Sequence, residues 1–292
     1  MATTPPTEAL SSDEVLSAGS SSTMDSGDRK DESSPPSELR AKLPVRVMYL
    51  HELDAFPNKV KQELVEECVG QANVVVPEFH TKRTLTAFVL AFALLLFIMF
   101  GAVLAAFINK STAAGFLSLI ATIAVATITF VLAGRGVTHV LLKQAVAAAE
   151  ATFEKFRPNL IVASSYGAVV CFQMDKPKLP LLLLSPAQDQ YYRYMHLKPY
   201  ISIADYPYVI IVHGSVDNDV PLDDSIRLIE TCEVGRCRLE IVDDDHKLSS
   251  LTRDDFRRWI EEAYERGRDA VFKQSEAGSK SVDPTLFEMP SV

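Results

Sequence analysis

At 292 residues and 48% hydrophobic composition, the chain is long enough for one large globular domain or two small ones. Its formal net charge of −9 argues against a general nucleic-acid binder. Cys68, Cys171, Cys232 and Cys237 form no C-x-x-C pair and no Cys/His cluster at zinc-ligand spacing, so they read as thiols of a reducing compartment.

Residues 1–42 are Ser/Pro-rich and acidic, with no apolar core of the kind a secretory signal needs, and are expected to be a disordered tail. Residues 275–292 read as a second disordered tail. Between the tails, two soluble parts, 43–81 and 136–274, flank a very different segment at 82–135.

That segment contains two apolar stretches. Thr84–Ile108 spans 25 residues and Thr112–Gly134 spans 23, and neither holds a charged side chain. A helix rises 1.5 Å per residue and the hydrocarbon core is about 30 Å thick, so about 20 residues make one crossing. Soluble helices of this length carry a polar face, and these do not. The expectation is a two-helix transmembrane hairpin whose partners are membrane lipids. Ser118, Thr122 and Ala126 would form a small-residue stripe along the second helix. Lys82, Arg83 and Arg135 flank the outer ends while the linker holds only Lys110, which puts the soluble domain and both termini in the cytosol.

Elsewhere, strand patterns alternate with helix patterns. Strands are expected at 45–50, 73–79, 159–164, 179–186, 206–214 and 236–244, and helices at 58–69, 139–156, 222–232 and 253–274. Short continuous apolar strands between helices imply an open, mostly parallel sheet with helices on both faces. The fold class is therefore α/β, interrupted by the hairpin. In such sheets functional groups gather beyond the carboxyl ends of the strands. Those ends supply His51, Ser165, Ser185, His213, Asp217 and His246, a set that includes a nucleophile, an acid and a base.

Three of these ends resemble the α/β-hydrolase superfamily, in particular its small compact esterases that lack a large lid. "ASSYGA" (163–168) is similar to the nucleophile elbow G-x-S-x-G, with Ser165 in the serine position, Gly167 in place and Ala163 for the first glycine. "VIIVHGSVDNDVP" (209–221) resembles the acid loop, with Asp217 at the acid position and Asp219 as the fallback. His213 and Gly214 in the same loop read as structural. "IVDDDHKL" (241–248) places His246 after the last strand, 29 residues beyond Asp217. The order Ser, Asp, His is the one the superfamily uses.

The resemblance implies a serine hydrolase in which Asp217 orients His246 and His246 takes the proton of Ser165. The Tyr166 amide would hold the oxyanion. After the first strand, "MYLHELDAFPNKVKQEL" is similar to the esterase pattern HG-F-x-S-x-P, with His51 and Pro57 matched and the Leu53 amide as second donor. Glu52 stands where that pattern has glycine. This departure is the feature that would instead suit a catalytically silent, membrane-anchored binding module.

Residues 187–208 carry six tyrosines and could form an aromatic cover over the site or a segment packed on the sheet edge. An ester or thioester of small-molecule or lipid-like character is the expected substrate. The chain has no G-x-x-x-x-G-K, G-x-G-x-x-G or H-E-x-x-H pattern, so no nucleotide or metal cofactor is expected.

Overall fold

The structure is a computed structural model and describes residues 45–53, 59–79, 81–109, 112–197, 201–276 and 282–287. The tail at 1–42, Pro57, Lys110 and Tyr200 lie outside the described residues.

Six parallel strands form one open sheet in the order β2-β1-β3-β4-β5-β6. They are β1 (Val47–Leu50), β2 (Val74–Val75), β3 (Leu160–Ser164), β4 (Leu181–Leu184), β5 (Val209–Gly214) and β6 (Cys237–Val242). β1, β3, β4 and β5 are buried along their whole length, which explains their unbroken apolar runs. In register, Leu50 lies beside Ala163, and Ala163 beside Leu183. The chain leaves β1 outward to β2, then returns across it to β3. Strand order therefore reverses between β1 and β3, and a crevice opens there beyond the strand ends.

Helices cover both faces. α1 (Val60–Val69) packs against the long last helix, α7 (Arg253–Glu276), which also lies on β4 and β5. α4 (Tyr166–Gln173) and α5 (Gln188–Met195) pack with the C-terminal part of α3 (Thr112–Phe156), and α6 (Leu222–Ile229) lies against β5 and β6. The α/β architecture expected from the strand–helix alternation is the observed one.

The two apolar stretches lie in α2 (Thr81–Asn109) and α3 (Thr112–Phe156). Both helices are long and apolar enough to cross a membrane, and almost none of either apolar stretch is buried in the protein. They pack on each other through Phe88, Phe92 and Phe130 near one end and Phe107 against Phe116 near the other. Ser118, Thr122 and Ala126 are less exposed than most of their neighbours on α3, as a seam of small residues would be.

Two boundaries differ from expectation. The sequence places the end of the hairpin at 135 and a separate helix from 139, yet α3 runs unbroken for 45 residues, about 68 Å at the helical rise. Gly134 and Gly136 each weaken a helix by about 1 kcal/mol, but no proline is present to break it. Its last turns bury Leu141, Leu142, Ala145, Ala149 and Phe153 against the sheet domain. One rigid element thus joins the apolar hairpin to the α/β core.

The second difference is in the segment assigned to a C-terminal tail. α7 continues to Glu276, and Pro284–Phe287 form a 3-10 turn with Leu286 and Phe287 buried. Phe287 packs on the Tyr264 ring, and Arg157 pairs with Asp283. Three apolar side chains, Val282, Leu286 and Phe287, dock it.

Candidate active site

Ser165 stands between β3 and α4 with φ 51° and ψ −111°, a backbone region that residues with a Cβ rarely occupy. The turn is tight because α4 starts almost on top of β1: a Cβ on Gly167 would lie 2.1 Å from the Leu50 carbonyl oxygen. Only glycine fits there. Ala163, two residues before the serine, is fully buried between β1 and β4.

The side chains of Ser165, His246 and Asp217 form a hydrogen-bonded chain. His246 Nε2 lies 3.1 Å from Ser165 Oγ, and His246 Nδ1 lies 2.7 Å from Asp217 Oδ2. The Asp217 side chain is fully buried, and its other oxygen accepts the backbone N–H groups of Asp219 (2.9 Å) and Val220 (2.8 Å). Burial pushes this carboxyl up, yet the Val220 amide and the His246 ring outweigh it and hold the group below the ordinary aspartate range. Asp219 is solvent-exposed and lends Asp217 its amide, so the geometry separates the two candidate acids.

His213 has the structural place expected of it. Its Nε2–H donates to the Val220 carbonyl at 3.0 Å, and its Nδ1 accepts from Ser225 Oγ at 2.8 Å, so the ring props the acid loop. Burial lowers its pKa and keeps the imidazole neutral. A Cβ on Gly214 would lie 2.4 Å from the Asp244 carbonyl oxygen, so the acid loop presses directly against the histidine loop. Asp243, Asp244 and Asp245 bond within that region: Asp244 and Asp245 accept the amides of Ser250 and Lys247.

A pocket of about 350 Å³ opens over the serine, lined by Glu52, Leu53, Ser165, Tyr191, Asp219 and His246 among others. Leu53 is therefore at the site. Tyr166 is the first residue of α4, a position whose amide has no intrahelical acceptor. Its ring is buried against Phe79 and Tyr191. His51 stands back from the pocket lining, its ring 4.2 Å from that of Phe79 and tilted by 30°, with Nδ1 donating to the Glu52 carbonyl. Ser185 is buried at the end of β4 with φ 42°.

The tyrosines of 187–208 divide between the two roles considered for them. Tyr191 lines the pocket, Tyr192 bonds Gln173, and Tyr206 and Tyr208 are buried in the core.

One further residue at the site belongs to no motif. Lys61, on α1, is 2% exposed and bonds Glu52, Ser164 and the His246 carbonyl. Its signal was its place in the stripe Lys61, Val65, Cys68, Val69, the inward face of the helix. A charged group on such a face needs a partner. Among the described residues, no group of three or more His, Cys, Asp or Glu side chains could hold a metal ion.

No family model and no curated protein matches the chain. Solved structures similar to it include a presumed hydrolase from Agrobacterium vitis S4, 19% identical over 42% of this chain and 68% of its own, with a TM-score of 0.33. Another is a presumed hydrolase of the alpha/beta superfamily from Xanthomonas campestris pv. campestris, 24% identical over 46% of this chain and 67% of its own, with a TM-score of 0.27.

Proposed function

We propose that the chain is a membrane-anchored serine hydrolase that cleaves an ester or thioester through an acyl-enzyme. The observation that carries this reading is the Ser165–His246–Asp217 chain, with contacts of 3.1 and 2.7 Å, on a serine held at positive φ. A serine that only shaped a turn would need neither the histidine nor the buried carboxylate behind it.

In the mechanism, the Ser165 Oγ–H proton passes to His246 Nε2 as Oγ bonds to the acyl carbon. The carbonyl electron pair moves onto oxygen, where the amides of Tyr166 and Leu53 stabilise it. Collapse expels the alcohol or thiol, which takes the proton from His246. Water then repeats the sequence and frees Ser165 with release of the acid. Asp217 stays ionised and fixes the imidazole with Nδ1–H toward itself.

Contacts between α3 and α5 beside the end of the apolar stretch support a substrate drawn from the bilayer. His139 on α3 bonds the Met195 carbonyl at 3.1 Å, and Arg135 lies over the Tyr194 ring at 5.9 Å. One turn earlier on α5, Gln190 and Tyr191 line the pocket. Tyr191 and Tyr194 are separated by about 4.5 Å along the helix axis. The pocket rim thus lies about one turn from α3, close to Gly134, where the apolar stretch ends. A lipid ester or an acylated protein suits that position, with both soluble flanks cytosolic.

The test is reaction of the full chain, in detergent or a bilayer disc, with a fluorophosphonate and with p-nitrophenyl esters. Ser165→Ala and His246→Ala serve as controls. Reaction in the native protein that both substitutions abolish is expected. Native protein that is folded and inert would favour the silent binding module.

A further inference from the structure

At the wall of the pocket lies an ion pair, with Lys61 buried and Glu52 half-buried, that the mechanism above does not use. The Lys61 ammonium has three protons and faces three acceptors: Glu52 Oε1 at 2.5 Å, Ser164 Oγ at 3.1 Å and the His246 carbonyl at 3.4 Å. Ser164 in turn donates to the same Glu52 oxygen at 2.9 Å. The three acceptors come from three separate places, namely the loop after β1, the end of β3 and the loop after β6. These are the places that carry Leu53, Ser165 and His246.

Glu52 is the residue that departs from the glycine of the esterase pattern, and it lines the pocket beside Ser165 and His246. An uncompensated carboxylate there would oppose the negative oxygen that forms when Ser165 attacks. We infer that Lys61 is a positioning residue that makes Glu52 compatible with catalysis: it neutralises the carboxylate, and it ties the histidine loop to the nucleophile elbow. Ser164 is the hinge of the network. It is wholly buried, and its hydroxyl is engaged with the ion pair, not with the pocket. The catalytic half of this inference rests on the hydrolase reading; the tether does not.

The experiment compares wild type, Lys61→Met and Lys61→Met/Glu52→Gln in the full detergent-solubilised chain, with initial rates on p-nitrophenyl butyrate. Lys61→Met is expected to lose about 100-fold in kcat with KM within about 3-fold, because the unpaired charge acts on the transition state. The double variant removes that charge and is expected to return to within about 10-fold of wild type. A Lys61→Met enzyme at the wild-type kcat overturns the inference. Rates are taken per folded molecule, a measure that a purely structural lysine would leave unchanged, and a double variant no faster than Lys61→Met overturns the inference as well.

If Lys61→Met does not fold, the double variant carries the test, because replacing both members of a buried pair is tolerated where removing one is not. It must fold and turn over, and failure of either overturns the inference. Amide hydrogen exchange across 246–248 reads the tether directly: exchange about 10-fold faster is expected in both variants, and unchanged exchange refutes it. Wild-type protein that neither labels nor turns over ester defeats the hydrolase reading, and the exchange result then decides the tether by itself.

Discussion

Gly167→Ala separates the elbow geometry from ordinary helix energetics, because the two give opposite signs. Alanine is the better helix former by about 1 kcal/mol, so in an unconstrained helix the change stabilises. Here the added Cβ would stand 2.1 Å from the Leu50 carbonyl oxygen, and ordinary contact begins at 3.4 Å. The helix or the strand must therefore yield by the difference, 1.3 Å. The clashing atom is backbone of a fully buried strand, so little of this can be absorbed by a side chain. Overpacking of this kind costs about 3 kcal/mol, leaving a net loss of about 2 kcal/mol and a melting temperature lower by about 4–8 °C. The same shift would carry Ser165 away from His246, now 3.1 Å from it. A displacement near 1 Å costs about 100-fold in rate. Thermal melting and the second-order rate of fluorophosphonate labelling measure the two effects side by side. A variant that melts at or above the wild-type temperature and labels at the wild-type rate would refute the reasoning.

Three further outcomes are expected. Asp217→Asn presents an amide to His246 Nδ1 and should slow labelling by about 10⁴-fold, whereas Asp219→Asn should change it by less than about 3-fold; comparable losses would mean the acid has been misassigned. Because Asp217 is held below its ordinary range in the fold, its contribution to stability is complete above about pH 4 and disappears as pH falls through the folded value. Melting curves from neutral to acid pH should therefore show the gap between wild type and Asp217→Asn closing in acid, and a gap constant with pH contradicts this. Phe287→Ala empties a buried contact with Tyr264 and should cost about 3 kcal/mol in denaturant unfolding, while a change below about 0.5 kcal/mol would mean the segment is not docked.

The strands and the three site loops were legible because each is a local signal. Ser165, Gly167, Asp217 and His246 announce themselves by short motifs at the ends of apolar runs. The parallel sheet follows from runs buried on both faces. Lys61 was hidden for the opposite reason: beyond Glu52, its partners are Ser164, 103 positions away, and the His246 carbonyl, 185 away, and only the fold brings them together. The hairpin boundary expected at 135 rests on the flanking charge Arg135, whereas burial of α3 from Leu141 onward carries the helix through it. Docking of 282–287 depends on a tertiary contact with α7, which no local pattern announces. Glu52 looked like a defect in the pattern, and its partner is a lysine nine residues on, with its side chain turned inward.

The most direct measurement is peptide mapping by mass spectrometry of the full chain after reaction with a fluorophosphonate. Ser164 and Ser165 are adjacent, but Ser164 is fully buried and Ser165 opens into the pocket with His246. A single phosphonyl adduct is expected, on Ser165, and lost in His246→Ala. A folded protein with no adduct, or with the adduct on another serine, would contradict the assignment of Ser165 as the nucleophile.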